Sequence, residues 1–288
     1  MKVNDLRREL NDYYESEIKH CCYHDQCEFG CKKQFSNVEK LGEPVGAFIG
    51  ENYDKHRILF VGINTNEAEG IKSIYKDQDY SKGLEWTYHE IDQLLKVHFG
   101  FEESNIRNVA FTNLIHCSWI PAKGTKGKRS EPVWIQWVNC IHRQKVVETE
   151  IDKIQPQLIF AVGDSVYDEL QIKYYETKRD LIPHYLFTVN NNRNTYAIAR
   201  LPHLFNQIWP RRWMKEFKNG KFPKTYKPIF EYLGIYQEGN EKYMIESMRR
   251  KLEEAKLKRE DFGRNNDLIQ LTVFAQLHKL KAEGIITI

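Results

Sequence analysis

The sequence predicts an α/β protein: a three-layer α/β/α sandwich around a central, mostly parallel four-stranded sheet, followed by a C-terminal helical hairpin. Two observations lead there. The runs RILFVGI (57–63), NVAFTNLI (108–115) and QLIFAV (157–162) are continuously apolar, as suits strands covered on both faces. Between them lie segments whose apolar residues recur at helical spacing, and alternating strands and helices build parallel sheets.

Taken in order, residues 3–20 read as a helix on Leu6, Leu10, Tyr13, Tyr14 and Ile18, and a cysteine-rich loop follows. The first strand then leads to a helix with the stripe Leu84, Tyr88, Ile91 and Leu95. After the second strand, a basic loop precedes one long helix over about 131–154, with Val133, Trp137, Cys140, Val147 and Ile151 near one side. The third strand ends in Gly163-Asp164-Ser165, a strand-to-helix turn with a good N-cap. HYLFTV (184–189) and YAIARL (196–201) are shorter strands separated by an asparagine-rich turn. Beyond about 235 the pattern is helical only, with one stripe on Ile245, Met248 and Leu252 and another on Leu268, Leu271 and Ala275. The expected division is therefore an α/β domain over 1–235 and a helical extension over 236–288.

Hydrophobic residues make up 41% and charged residues 29%, a folded and soluble balance rather than a disordered one. No apolar run approaches the roughly 18 residues that span a bilayer, and the first twenty residues lack a signal-type apolar core. A cytoplasmic protein with no membrane partner and no obligate protein partner is the expectation. The net charge of +3 neither demands nor excludes nucleic acid, so local clusters matter more. Two stand out: KGTKGKR (123–129) with Lys126, Lys128 and Arg129, and Arg211-Arg212; each is otherwise a solvated surface.

Of the six cysteines, Cys21, Cys22, Cys27 and Cys31 fall within eleven residues, and the others are Cys117 and Cys140. Free cysteines usually scatter as small buried hydrophobes, so this clustering favours metal or redox use over a disulfide framework. In a parallel α/β sheet, ligands bind beyond the carboxyl ends of the strands. Those ends carry Gly62-Ile63-Asn64-Thr65, Thr112-Asn113 and Leu201-Pro202-His203. Two amides and a histidine at one edge suit recognition of a planar base and activation of water.

VGINTNEAEG resembles the first motif of the uracil-DNA glycosylase superfamily, in its G-I-N-P and G-M-N-P forms. FTNLIHCSW, IQPQLIFAVGDSV and LPHLFN resemble the later motifs of its iron–sulfur branches, in the correct order. The resemblance implies a [4Fe–4S] cluster on Cys27, Cys31, Cys117 and Cys140. Zinc accepts the same donors, so the choice of metal rests on the resemblance. The family's first pair is Cys-x2-Cys where this chain has Cys27-x3-Cys31, and Cys21 and Cys22 compete for those two places.

The implied activity is a monofunctional DNA glycosylase, which flips a uracil or other modified pyrimidine from DNA and hydrolyses its N-glycosidic bond. In that scheme Asn64 orients the water, with Glu67 or Glu69 in reserve, and His203 donates to a base carbonyl as charge develops there. Asn113 reads the base edge, Gly62 and Thr65 border the pocket, and Tyr80, rather than Tyr75, stacks on the base. Arg211 and Arg212, with Leu204 and Phe205 before them, lie where the family wedges the duplex and clamps phosphates. Thr65 stands in place of the family's proline, and Leu-Phe-Asn follows His203 in place of Pro-Ser. A hypermodified phage base, attacked in anti-phage defence, is therefore an alternative substrate, and an inactive nucleic-acid-binding relative is a second alternative.

Overall fold

The computed structural model describes residues 2–35, 38–64, 87–101, 105–117, 119–121, 133–190, 194–202, 215, 217, 219, 221–257 and 267–286. The chain is α/β and divides into two units, one of residues 1–84 with 107–156, the other of 85–106 with 157–288.

In the first unit, α1 (Val3–Tyr13) buries Val3, Leu6 and Leu10, the spacing of a single helix face. It continues as a π turn over Tyr14–Ile18 rather than as uniform α-helix. Next comes α2 (His24–Gln34), where a loop was expected. Its buried residues are Cys27 and Cys31, so an apolar periodicity count has almost nothing to detect. Asp25 at its start and Lys32 and Lys33 at its end complement the helix dipole.

β1 (Val38–Leu41) pairs antiparallel with β5 (Trp119–Pro121) in a small separate ribbon. β2 (Phe48–Ile49), the short α3 (Tyr53–His56), β3 (Ile58–Asn64) and β4 (Val109–Ile115) follow the chain order. β3 and β4 are parallel, with Gly62 opposite Asn113 and Asn64 opposite Ile115, and β2 adds antiparallel to β4. The expected helix over 131–154 is three pieces: α5 (Trp134–Trp137), a π turn (Val138–Arg143) and α6 (Val146–Ile154). The break falls at Lys145, whose backbone is left-handed (φ 54°), a conformation that ends α-helical hydrogen bonding.

In the second unit, α4 (Thr87–Phe99) precedes β6 (Leu158–Val162), every residue of which is buried. α7 (Asp164–Lys173) starts after Gly163 without the expected side-chain cap; the Asp164 carboxylate instead pairs with Arg200 at 2.8 Å. β7 (Lys178–Ile182), β8 (Leu186–Asn190) and β9 (Thr195–Leu201) complete the strand order β6-β9-β8-β7. β6 and β9 are parallel, whereas β8 and β7 are antiparallel additions.

Together the two units supply seven strands to a mixed sheet, not four. The additional ones carry weak signals: β2 is two residues long, and β7 reads KRDLI. Of the C-terminal helices α8 (Lys227–Tyr232), α9 (Glu241–Glu254) and α10 (Asp267–Ala282), the last two pack on each other, as a hairpin requires. α10 also contacts β9 and is buried on every side, including Gln270, Thr272 and Gln276. The Gln276 amide donates to the Tyr185 and Arg200 carbonyls, both at 2.8 Å, tying the helix to the strand backbone. Among the described residues no helix is long and apolar enough to cross a membrane.

Candidate active site and cysteine cluster

The carboxyl ends of β3 and β4 bring Gly62, the backbone of Asn64 and Asn113 together. Strand alternation puts positions 62 and 64 on one sheet face, and the parallel register puts Asn113 beside Gly62. Asn113 is half-buried, and a Cβ at Gly62 would stand 2.5 Å from its Oδ1. Glycine is therefore what lets this amide lie across the neighbouring strand.

One residue earlier, Thr112 faces the opposite side of the sheet and donates its hydroxyl proton to the buried Glu150 carboxylate. The Ala47 N–H donates to the same carboxylate at 3.1 Å, and His116 Nε2 stands 3.6 Å from it. Burial raises the Glu150 pKa, while the nearby imidazole and these two hydrogen bonds oppose the rise. His116 Nδ1 bonds the Val45 carbonyl at 2.6 Å, and the Val45 N–H donates to the His116 carbonyl at 2.9 Å. This polar buttress fixes the segment that runs from Asn113 to Cys117.

All four proposed cluster cysteines are buried: Cys27 and Cys31 on α2, Cys117 just after β4, and Cys140 on the π turn. Cys27 and Cys31 lie four apart on one helix face, so the three-residue spacer becomes a single helical turn. They share an apolar cluster with Cys117, Val38, Leu41 and Val133. Gly30 permits the close packing of α2 there, since a Cβ on it would stand 2.4 Å from Ile135 Cγ2.

Two buried amides that the sequence reading passed over attend the thiols. Asn139 Nδ2 donates to Cys27 Sγ at 3.4 Å; Gln136 Nε2 donates to the Cys117 carbonyl at 3.0 Å and its Oε1 accepts from Cys31 Sγ at 3.5 Å. A signal was present, because both are polar residues inside the segment where Val133, Trp137 and Cys140 had marked a buried side. Burial raises all four thiol pKa values, those of Cys31 and Cys140 to about 12. Neighbouring cysteines add to each rise except that of Cys31 and Cys140 alone with one another; for Cys117 the added influence comes from Cys140, Cys21, Cys27 and Cys31.

The donor chemistry fits a thiolate-held centre: four soft, buried sulfurs with amide donors beside them. Among the described residues, no three His, Cys, Asp or Glu side chains gather closely enough to hold a single metal ion. His203, Tyr80, Tyr75, Thr65, Glu67, Glu69, Leu204, Phe205, Lys126, Lys128, Arg129, Arg211 and Arg212 lie outside the described residues. Compared with known proteins, the sequence matches no family model and no curated protein.

Proposed function

We propose that the chain is a monofunctional DNA glycosylase with a uracil-DNA glycosylase-like α/β/α sandwich and a four-thiolate iron–sulfur centre. The observation that carries the reading is the convergence of four buried cysteines from three separate segments, one of them four residues beyond the amide at the end of β4. In this reading the Asn113 amide pairs with the Watson–Crick edge of a flipped pyrimidine. Asn64 orients a water, whose oxygen bonds to the sugar's anomeric carbon as the bond to the base breaks. His203 donates to the base carbonyl while negative charge gathers there, and the departing base takes up a proton. Tyr80 stacks on the base.

A cluster bound by Cys27, Cys31, Cys117 and Cys140 would cross-link α2, the end of β4 and the π turn. Glycosidic hydrolysis moves no net electrons, so in this scheme the cluster's work is to position the Asn113 strand end. Support for a nucleic-acid partner comes from the outer side of α2 and α5. Phe29 is 71% and Trp134 74% exposed, beside Lys33 in a shared groove. Exposed aromatic faces next to cations are what unstacked bases and phosphates bind. The chain enters this groove at Val133 shortly after the basic run Lys123–Arg129.

The test is a panel of duplexes and single strands carrying uracil, oxidised, alkylated and glucosylated pyrimidines, assayed for alkali-labile abasic sites. Cleavage of at least one, lost in Asn64→Ala, is the expected result. Binding without abasic sites on any of them moves the chain to the inactive-relative reading.

A further inference from the structure

Six cysteines leave two beyond the four that the cluster reading uses, and they differ in surroundings. Cys22 is exposed, whereas Cys21 is half-buried in the turn before α2. Its Sγ donates to Gln144 Oε1 at 3.5 Å. Gln144 is the residue at which the π turn carrying Cys140 ends. The same turn receives Cys27 through Asn139, and the Arg143 guanidinium lies 5.4 Å from the centre of the Tyr23 ring, two residues after Cys21. Cys21, Cys27 and Cys140 are thus gathered about one turn of chain.

Cys31 looks elsewhere. Its thiol donates to Gln136 on α5, and that amide is already engaged with the Val133 N–H and the Cys117 carbonyl. Its surroundings are the apolar cluster with Val38, Leu41 and Val133, so it is accounted for as a core residue. The electrostatics agree with this division. After burial, the Cys140 thiol is raised by Cys27 and Cys21, and the Cys117 thiol by Cys140, Cys21 and Cys27 ahead of Cys31.

We infer that the fourth thiolate of the centre is Cys21, which joins Cys27, Cys117 and Cys140, and that Cys31 is a packing residue on the α2–α5 seam. This assignment rests on the cluster reading above and revises its ligand set at one position. It gives the chain a six-residue separation between its first two ligands, with α2 beginning between them.

The experiment compares wild type, Cys21→Ala, Cys22→Ala and Cys31→Ala, purified without oxygen, by iron, sulfide and zinc content and by visible absorbance. Wild type, Cys22→Ala and Cys31→Ala should each hold about four irons per chain, and Cys21→Ala fewer than about one. Loss of iron in Cys31→Ala, or its retention in Cys21→Ala, overturns the assignment while leaving the cluster in place. Wild type with neither iron nor zinc removes the cluster reading itself. Should Cys21→Ala prove unfolded by circular dichroism, the serine variants decide. An oxygen ligand in Cys21→Ser should shift the reduced cluster's electron paramagnetic resonance signal, and Cys31→Ser should leave it unchanged; the opposite pattern refutes the proposal.

Discussion

Gly62→Ala tests the strand-end site more sharply than removal of any functional group, because it adds only a methyl. That methyl would stand 2.5 Å from Asn113 Oδ1. Carbon–oxygen contacts settle at about 3.3 Å, so the amide must retreat by about 0.8 Å. A displacement of roughly 1 Å in a positioning group can cost about a hundredfold in rate. Stability should hardly change. Gly62 is not among the left-handed glycines, and the atom it would strike is the far end of a side chain that can rotate. An off-rotamer asparagine costs about 0.5–1.5 kcal/mol, and alanine in a strand returns roughly 0.5–1 kcal/mol over glycine. The urea midpoint should therefore stay within about 1 kcal/mol of wild type, while single-turnover excision falls about a hundredfold. A double-mutant cycle completes the assay: in an Asn113→Ala background, Gly62→Ala should cost almost nothing further. Full activity of Gly62→Ala on the true substrate, or additivity in the cycle, refutes the reasoning.

Asn64→Ala should lower the single-turnover rate by at least about a hundredfold with damaged-DNA binding nearly intact, whereas Asn113→Asp should change which base is excised. Intact specificity in Asn113→Asp, measured on the modified-duplex panel, would remove Asn113 from base reading. Replacing Lys126, Lys128 and Arg129 by alanine should flatten the slope of log affinity against log salt by up to about 0.9 per lost phosphate contact; an unchanged slope returns the loop to plain surface. Folding should be acid-sensitive through His98, whose ring bonds the buried Gln270 and whose pKa burial lowers to about 4. Since the folded state favours neutral imidazole, this contribution is complete above about pH 6.5 and is lost as pH falls towards 4. The ring keeps some solvent contact, so the loss should be about 2 kcal/mol rather than the full shift. His98→Gln should flatten the urea-midpoint profile in that window, and an unaltered profile contradicts the assignment.

What could be read from the sequence follows the chemistry of each segment. β3, β4 and β6 were legible because buried parallel strands leave long apolar runs. The helix α2 was not, since its buried face is made of two cysteines and carries no aliphatic stripe. Nor was the break at Lys145, because a left-handed lysine leaves no mark in hydrophobic periodicity. The clustering of Cys27 and Cys31 near Cys117 and Cys140 was anticipated from a resemblance, and the structure does bury all four. Gly62 was read only as a pocket border; its clearance for Asn113 depends on strand register, which one strand alone cannot reveal. The buried amides of Gln136 and Asn139 were passed over because polar residues on a helix are normally assigned to solvent.

The burial of α10 has a consequence for synthesis on the ribosome. β6 to β9 are complete by Leu201, yet the helix whose Gln276 grips the Tyr185 and Arg200 carbonyls begins only at Asp267. At roughly 5–20 residues per second, several seconds pass before that cover emerges. During this interval the apolar side of β9 that α10 will occupy is open to chaperones and to other nascent chains. Yield should therefore respond to translation speed across residues 202–267, a stretch outside both the cysteine cluster and the β3–β4 strand ends.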